Sequence, residues 1–333
     1  MTSTIQDVAQ KARVSISTVS RAFSRPDLVA EPTREKILRI AEELNFSTSR
    51  SAAALKSGKT KRIALLISDH IRSWFTASII EGINYVLHKE GYDLSIFEIA
   101  NKRERQNFFQ MLPIRRNVDA VIVSSFSVDL EEVQQLASIN VPIIGINCTN
   151  PQNHQFTGAV NIDDEQGGKL MARHLLTLGH KQIVYVRTNP SQTLQFSVQQ
   201  RFESFMSACK EANITPHVIT TPNNDVVIND IIAQILSLPT TPTAIACQED
   251  NIAIPLIFQL ERSGYNIPKD MSVIGYDNSL FAQDIGLTTI NQDPVFLGKQ
   301  AAQKTLDYIN GDTPEAYNLI EAQLVIRSST ARV

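Results

Sequence analysis

The chain of 333 residues is 43% hydrophobic and carries 31 Lys and Arg against 34 Asp and Glu, a formal net charge of −3; this is enough apolar material for two or three cored domains. No apolar run approaches the ~20 residues of a membrane span, and the first residues lack the basic-then-apolar order of a secretory signal, so neither membrane insertion nor export is expected and a cytoplasmic location is. Cys148, Cys209 and Cys247 are odd in number, far apart and set in apolar surroundings, which reads as reduced core cysteines.

Ile5, Val8, Ala9 and Ala12 recur at helical spacing and predict a first short helix, followed by a turn at Arg13-Val14. Ser15 is placed to cap a second helix by accepting from a backbone N–H that would otherwise lack a partner. That helix turns Val19, Ala22 and Phe23 inward, while Ser17, Thr18, Ser20 and Arg21 stay outside. A third helix has Pro32 in its first turn and Ile37, Ile40, Ala41 and Leu44 as an inward stripe. Short hydrogen-bonding side chains and an Arg on the outer face of a second helix suit a DNA-reading helix-turn-helix, although the spacing alone also fits a plain helical bundle.

Residues 47–61 are small, polar and basic, without an apolar stripe to bury, and read as a linker in which Ser51-Ala52-Ala53-Ala54-Leu55 has strong helix formers. Residues 1–62 hold twelve Lys and Arg against six Asp and Glu, a net of +6, so the remainder carries −9. A basic arm on an acidic body fits nucleic-acid binding confined to the N-terminal part.

From Arg62 short apolar runs alternate with amphipathic helices. Strands are predicted at 62–67, 92–99, 119–123 and 141–146, with helices at 75–90, near 103–112 and at 130–138. After Gly158-Ala159-Val160-Asn161-Ile162 the rhythm restarts, with helices at 164–178, 198–212, 226–237 and 250–263 and strands at 183–186, 244–247 and 271–275. Repeated strand and helix units predict parallel sheets covered on both faces, hence two doubly wound subdomains with a ligand site at the strands' C-terminal ends.

The runs TIQDVAQKARVSISTVSRAF, LVAEPTREKILRIAEELNF and SRSAAALKSGKTKRIALLI, together with NIDDEQGGKLMARHLLTLGHKQI, PTAIACQEDNIAI and SVIGYDNSLFAQDIGLTTINQD, resemble the LacI/GalR family of bacterial transcriptional regulators over nearly the whole chain. The resemblance implies an all-α helix-turn-helix headpiece (1–46) and a hinge (47–61). It also implies an α/β periplasmic-binding-protein-like core (62–333), with lobe 1 at about 62–160 plus 291–320 and lobe 2 at about 161–290 plus 321–333. Three crossings between the lobes are implied, with Asp293-Pro294 capping the helix that returns to the first. The protein would then be a homodimer that represses a carbohydrate operon from a pseudo-palindromic double-stranded operator and answers a small molecule, expected to be a sugar. No cofactor or metal is expected.

By position, the resemblance puts Ser15, Ile16, Ser17, Thr18, Ser20 and Arg21 at the major groove, with Ile16 suited to a thymine methyl and Arg21 to guanine or a phosphate. Thr33 and Arg34 would lie near backbone phosphates, and hinge residues Ala52 and Leu55 at the minor groove, where Leu55 would wedge between base pairs. Two departures stand out: Arg13 where the family has Gly in the turn, a left-handed position costing ~1 kcal/mol for a residue with a Cβ, and Ala30 where a Ser caps the third helix.

In the implied effector cleft, Trp74 and Phe75 would face the apolar side of a ring, though Phe75 equally fits the start of a core helix. Arg201 and Asp277 would face one another across the cleft and bracket vicinal hydroxyls, though Asp277 also fits a turn cap. Gln195 and Ser197 lie on the loop before Arg201. Glu249-Asp250 stands where the family has Asn-Asp or Ser-Asp, so a pure acceptor replaces an amide and the usual hexose does not simply carry over.

An enzyme is disfavoured, because neither a Gly-x-Ser-x-Gly elbow, a phosphate loop nor paired-Cys metal spacing occurs, and the six His form no ligand constellation. A stand-alone sugar-binding protein would need an export signal and no headpiece. Within the family, a global carbon regulator using a phosphorylated carrier protein as corepressor stays open. The last residues carry no heptad tail that would pair dimers into tetramers.

Overall fold

The computed structural model describes residues 3–333 except 25, 47–58, 69, 100–102, 104–105, 107, 110–117, 126–129, 139–140, 148–155, 190–194 and 223–227; of 24, 26, 130, 133, 136–137 and 195–196 only the backbone is described. Two compact units result, Met1–Lys61 and Arg62–Val333.

The first unit has helices α1 (Ile5–Ala12), α2 (Ile16–Ser24) and α3 (Glu31–Glu43). A capping box starts α1: Asp7 N donates to Thr4 Oγ1 while Thr4 N donates to Asp7 Oδ2 at 2.7 Å. Arg13 ends α1 in the left-handed conformation, φ 56° and ψ 46°, the strained geometry anticipated where Gly is usual. Thr18 N donates to Ser15 Oγ at 3.1 Å, so Ser15 caps α2. Ala30 precedes α3 and supplies no side-chain cap. Val8, Ala12, Val19, Ala22, Ile37 and Ile40 form the core of the unit.

In the second unit, sheet one comprises β1 (Arg62–Ile67), β2 (Asp93–Glu98), β3 (Ala120–Ser124), β4 (Ile143–Ile146), β5 (Gly158–Ile162) and β11 (Tyr317–Ile320), in the order β11-β5-β4-β3-β1-β2. Helices α4 (Trp74–Lys89), α5 (Leu130–Ser138) and α10 (Pro294–Asn310) belong to this half. Sheet two comprises β6 (Ile183–Thr188), β7 (His217–Thr221), β8 (Ala244–Cys247), β9 (Ser272–Asp277), β10 (Thr288–Asn291) and β12 (Gln323–Val325), in the order β12-β10-β9-β8-β6-β7. Its helices are α6 (Asp164–Thr177), α7 (Gln195–Glu211), α8 (Ile228–Leu236) and α9 (Asp250–Arg262). All described pairings are parallel except β10 with β12, and β3, β4, β6, β8 and β9 are buried along their whole length, as strands covered on both faces must be.

The chain passes between the sheets after β5, after β10 and after β11. The first passage lies slightly later than expected, because Asn161 and Ile162 pair with Leu319 and Ile320 in sheet one, while the Ile162 side chain packs in the other lobe's core with Met171. Asp293 accepts from Phe296 N at 3.0 Å and caps α10, which returns to the first lobe and crosses α4 closely. A Cβ on Gly82 would stand 2.1 Å from Val295 O, so only glycine fits the crossing. Strands β7, β10, β11 and β12 were not predicted. Three of them, β7, β11 and β12, lie at sheet edges, are three to five residues long and half-exposed, and so lack the apolar run that marks a strand. The helix expected near 103–112 falls largely outside the described residues. Among the described residues no helix is long and apolar enough to cross a membrane.

Candidate functional site

The C-terminal ends of strands from both sheets meet at a cavity of about 120 Å³. From the first lobe, Ser125 follows β3, Asn147 follows β4, and Ser73, Trp74 and Phe75 lie where α4 begins. From the second, Ser197 and Arg201 occupy the first turns of α7, Glu249 precedes α9, Asp277 ends β9 and Gln292 follows β10. Phe75 lines the cavity and also packs against the first lobe's core. Gln195 starts α7, but its side chain lies outside the described residues.

Arg201 and Asp277 do not face one another across the cleft. Both stand on the second lobe's wall, with Arg201 Nη1 3.9 Å from Asp277 Oδ1, because α7 and the end of β9 are packed in the same lobe. Arg201 is 6% exposed and its guanidinium is held from within. Nε donates to Asp164 Oδ1 at 2.6 Å, and Nη2 donates to Ser197 Oγ at 3.2 Å and to Gln292 Oε1 at 3.1 Å. Ser197 in turn donates to Asp164 Oδ2, and the guanidinium lies 4.0 Å over the Tyr276 ring. Burial works against the Arg201 charge, but Asp164, Tyr276 and Asp277 outweigh it and raise its pKa.

Asp277 has φ 130° and the following Asn278 φ 57°, conformations that cost non-glycine residues about 1–3 kcal/mol each and persist only where neighbours fix them. Gln292 Nε2 donates to Asp277 Oδ1 at 2.5 Å, and Arg327 Nη2 donates to Asn278 Oδ1 at 2.7 Å. Burial, followed by the charge of Asp250, pushes the Asp277 carboxyl well above the usual carboxylate range, against the pull of Arg201. Asp250, fully buried behind it, is pushed up to about 6 by burial, although Ser279 N and Thr289 Oγ1 donate to it at 2.8 and 2.7 Å.

Sequence reasoning missed Asp164, Gln292, Ser125 and Asn147. Asp164 had a signal: Asp163 already caps α6 by accepting from Gln166 N at 2.8 Å, so the second Asp is redundant for capping. Ser125 and Asn147 could be located only from the strand ends.

In the first unit, Ser15, Ile16, Ser17 and Arg21 are exposed, Thr18 and Ser20 half-buried, and Val19 and Ala22 buried. Ile16, an apolar residue at the start of α2, is left 46% exposed. Thr33 and Arg34 are half-buried at the start of α3. Ala52 and Leu55 lie outside the described residues.

Residues 4–49 match the bacterial regulatory proteins of the lacI family, and residues 172–330 match a periplasmic binding protein-like domain. A curated relative, the HTH-type transcriptional repressor PurR of Actinobacillus pleuropneumoniae serotype 3 (strain JL03), is 32% identical over 93% of this chain and 92% of its own. The chain belongs to the lacI family. This LacI-family protein is a DNA-binding transcriptional regulator with an effector cleft. Its fold is similar to that of the Lac repressor dimer solved bound to operator and the anti-inducer ONPF, with a TM-score of 0.86 at 24% identity over 99% of this chain and 100% of that one. A LacI family regulator from Enterococcus faecium, solved with bound ribose, has a TM-score of 0.71 at 28% identity, covering 82% of this chain and 99% of that one.

Proposed function

We propose that this regulator represses a carbohydrate-utilisation operon and that a sugar in the interlobe cleft changes its affinity for a pseudo-palindromic operator. The observation that carries this is the cleft wall. An aromatic surface from Trp74 and Phe75 opposes a bank of hydroxyl-bonding groups, Asp277, Gln292 and Arg201 among them, the combination that grips a ring with one apolar and one polar side. The ribose bound by the Enterococcus faecium relative supports a sugar in this place.

Residues 1–46 would read DNA, with Ile16, Ser17 and Arg21 toward base edges, Ser15, Thr18 and Ser20 beside them on the DNA-binding helix, and Thr33 and Arg34 toward phosphates. Residues 47–61 would form the hinge, with Ala52 and Leu55 entering the minor groove, and residues 62–333 would form the effector-binding and dimerisation core. A homodimer supplies the two headpieces that a pseudo-palindrome requires. Sugar closing the cleft shifts one lobe against the other and so changes the spacing of the paired hinges, a coupling typically worth 1–3 kcal/mol. Titration of the purified protein onto DNA from upstream of its own gene, at two salt concentrations and with a panel of sugars, sugar phosphates and purines, tests this. Tight, salt-steep binding shifted by a sugar is expected; a shift by a purine alone would replace the sugar reading, and tight binding that no compound alters would overturn the cleft's role.

A further inference from the structure

Among the described residues, α3, α4, α6, α7, α9 and α10 each run into a left-handed residue within two places of their end, and there it is always Gly or Asn, the types that tolerate positive φ. Helix α1 is the exception. It ends on Arg13, at φ 56° and ψ 46°, and strain of this kind persists in proteins chiefly where it serves a function.

The turn is fixed from inside and by backbone bonds. Ala12 is fully buried, Val14 packs against the core of the first unit, and Val14 N donates to Ala9 O at 3.1 Å. Arg13 itself is exposed, and among the described residues no hydrogen bond, ion pair or ring contact engages its guanidinium. The other cation at this end of α1, Lys11, lies 2.9 Å from Glu43 Oε2. A cation near a helix C-terminus favours the helix dipole, and Lys11 already provides one. The dipole therefore gives no reason to put a second charge on a strained residue.

Arg13 stands two residues before Ser15, whose hydroxyl caps α2 and lies 2.7 Å from Ser17 Oγ and 2.8 Å from Thr18 Oγ1. The first turn of α2, with Ile16 exposed, is the part that would enter the major groove. A helix with its side chains is about 10–12 Å across and the groove about 12 Å wide, so a helix seated there has phosphates along both flanks. A guanidinium in the turn leading into the helix stands beside one flank, and its fork of N–H donors matches phosphate oxygens.

Resting on the reading of residues 1–46 as the DNA reader, we propose that Arg13 binds a backbone phosphate at the edge of the groove that α2 enters. The contact fixes the register of α2 on the duplex and reads no base.

The test is fluorescence anisotropy of the full-length protein on two duplexes of equal length, DNA from upstream of its own gene and a scrambled sequence, at about 50 and about 200 mM salt. Arg13→Gln removes the charge and keeps a side chain in the strained turn, Arg13→Gly removes both, and Arg13→Lys keeps the charge. The Gln and Gly variants should bind both duplexes more weakly than wild type at the lower salt. Their deficit should shrink by about 3.5-fold at the higher salt, because one lost phosphate contact lowers the salt slope by about 0.9. Arg13→Lys should retain the wild-type slope. Arg13→Gly gives the sharpest contrast, since relieving the turn strengthens the fold while DNA binding falls, which loss of structure cannot produce. Wild-type slopes in both Arg13→Gln and Arg13→Gly would overturn the proposal. Weakening confined to the upstream duplex would also overturn it, since that marks a base contact. A wild-type protein that binds neither duplex with a steep salt dependence would overturn the DNA-reading role of the first unit, and this proposal with it.

Discussion

Arg201 Nε lies 2.6 Å from Asp164 Oδ1, joining the first turns of α7 and α6 through an ion pair whose side chains are 8% and 3% exposed. Removing one member of such a pair strands a buried charge, which typically costs about 3–5 kcal/mol. Asp164→Ala should therefore lower the unfolding free energy of the core by that amount, seen as a lower urea midpoint, and weaken sugar binding. An unchanged midpoint would mean that the pair does not hold the wall together.

Asp277→Ala removes the carboxylate that ends β9. The protein is expected to bind operator with wild-type affinity and to lose its response to effector. A wild-type ligand response, measured as the effector concentration that half-shifts DNA binding, would show that Asp277 is outside the ligand site.

On the headpiece, Arg21→Ala should weaken operator binding by about 1–3 kcal/mol, the usual worth of a base-reading contact, and leave effector affinity alone. Leu55→Ser should reduce both affinity and DNA bending without disturbing dimerisation, measured by gel-shift bending assay and sedimentation. Unaltered bending would remove the minor-groove role given to Leu55.

The strain and missing cap seen in the first unit predict gains. Arg13→Gly frees the left-handed turn at φ 56°, and Ala30→Ser can supply the side-chain cap that α3 lacks. Each should stabilise the headpiece by about 1 kcal/mol, and the two effects should add. Calorimetry of the full-length protein should show the headpiece transition rising in each variant and rising further in the double variant.

His174 and His180 give the core a pH dependence. His180 Nε2 donates to Ala331 O at 3.0 Å, and His174 Nε2 lies 2.9 Å from Thr330 Oγ1. Burial lowers the pKa of both. The unfolded chain then binds protons that the folded state refuses, so their contribution is full above the ordinary value of about 6.5 and is lost as pH falls below it. The stability gap between wild type and His180→Gln should shrink from about pH 7.5 to about pH 5.5. Taking the gap cancels Asp250, whose raised value of about 6 acts in the opposite sense. A gap independent of pH would contradict the buried neutral histidines.

The parts of the molecule legible in sequence were those written in local pattern. The outer and inner faces of α2, the Ser15 cap and the fully buried strands follow from spacing over a few residues. The cleft was half legible. Trp74, Arg201, Glu249 and Asp277 could be nominated one by one, but which wall each occupies depends on the sheet order, and Arg201 and Asp277 were accordingly placed on opposite sides. The roles of Asp164 and Gln292 arise from Arg201, which lies 37 and 91 residues from them along the chain, a separation that no local pattern carries. Edge strands β11 and β12 escaped for a different reason: half-exposed and three or four residues long, they carry almost no periodic signal.

The central claim is that cleft and DNA site are coupled, and coupling is reciprocal by thermodynamic necessity. The most direct measurement is therefore the effector's Kd on the full-length protein with and without saturating operator DNA, beside the operator's Kd with and without saturating effector. The two ratios should agree and differ from one, by roughly 5- to 150-fold, and both should collapse to one in Asp277→Ala. An effector Kd that operator DNA leaves unchanged would contradict the account.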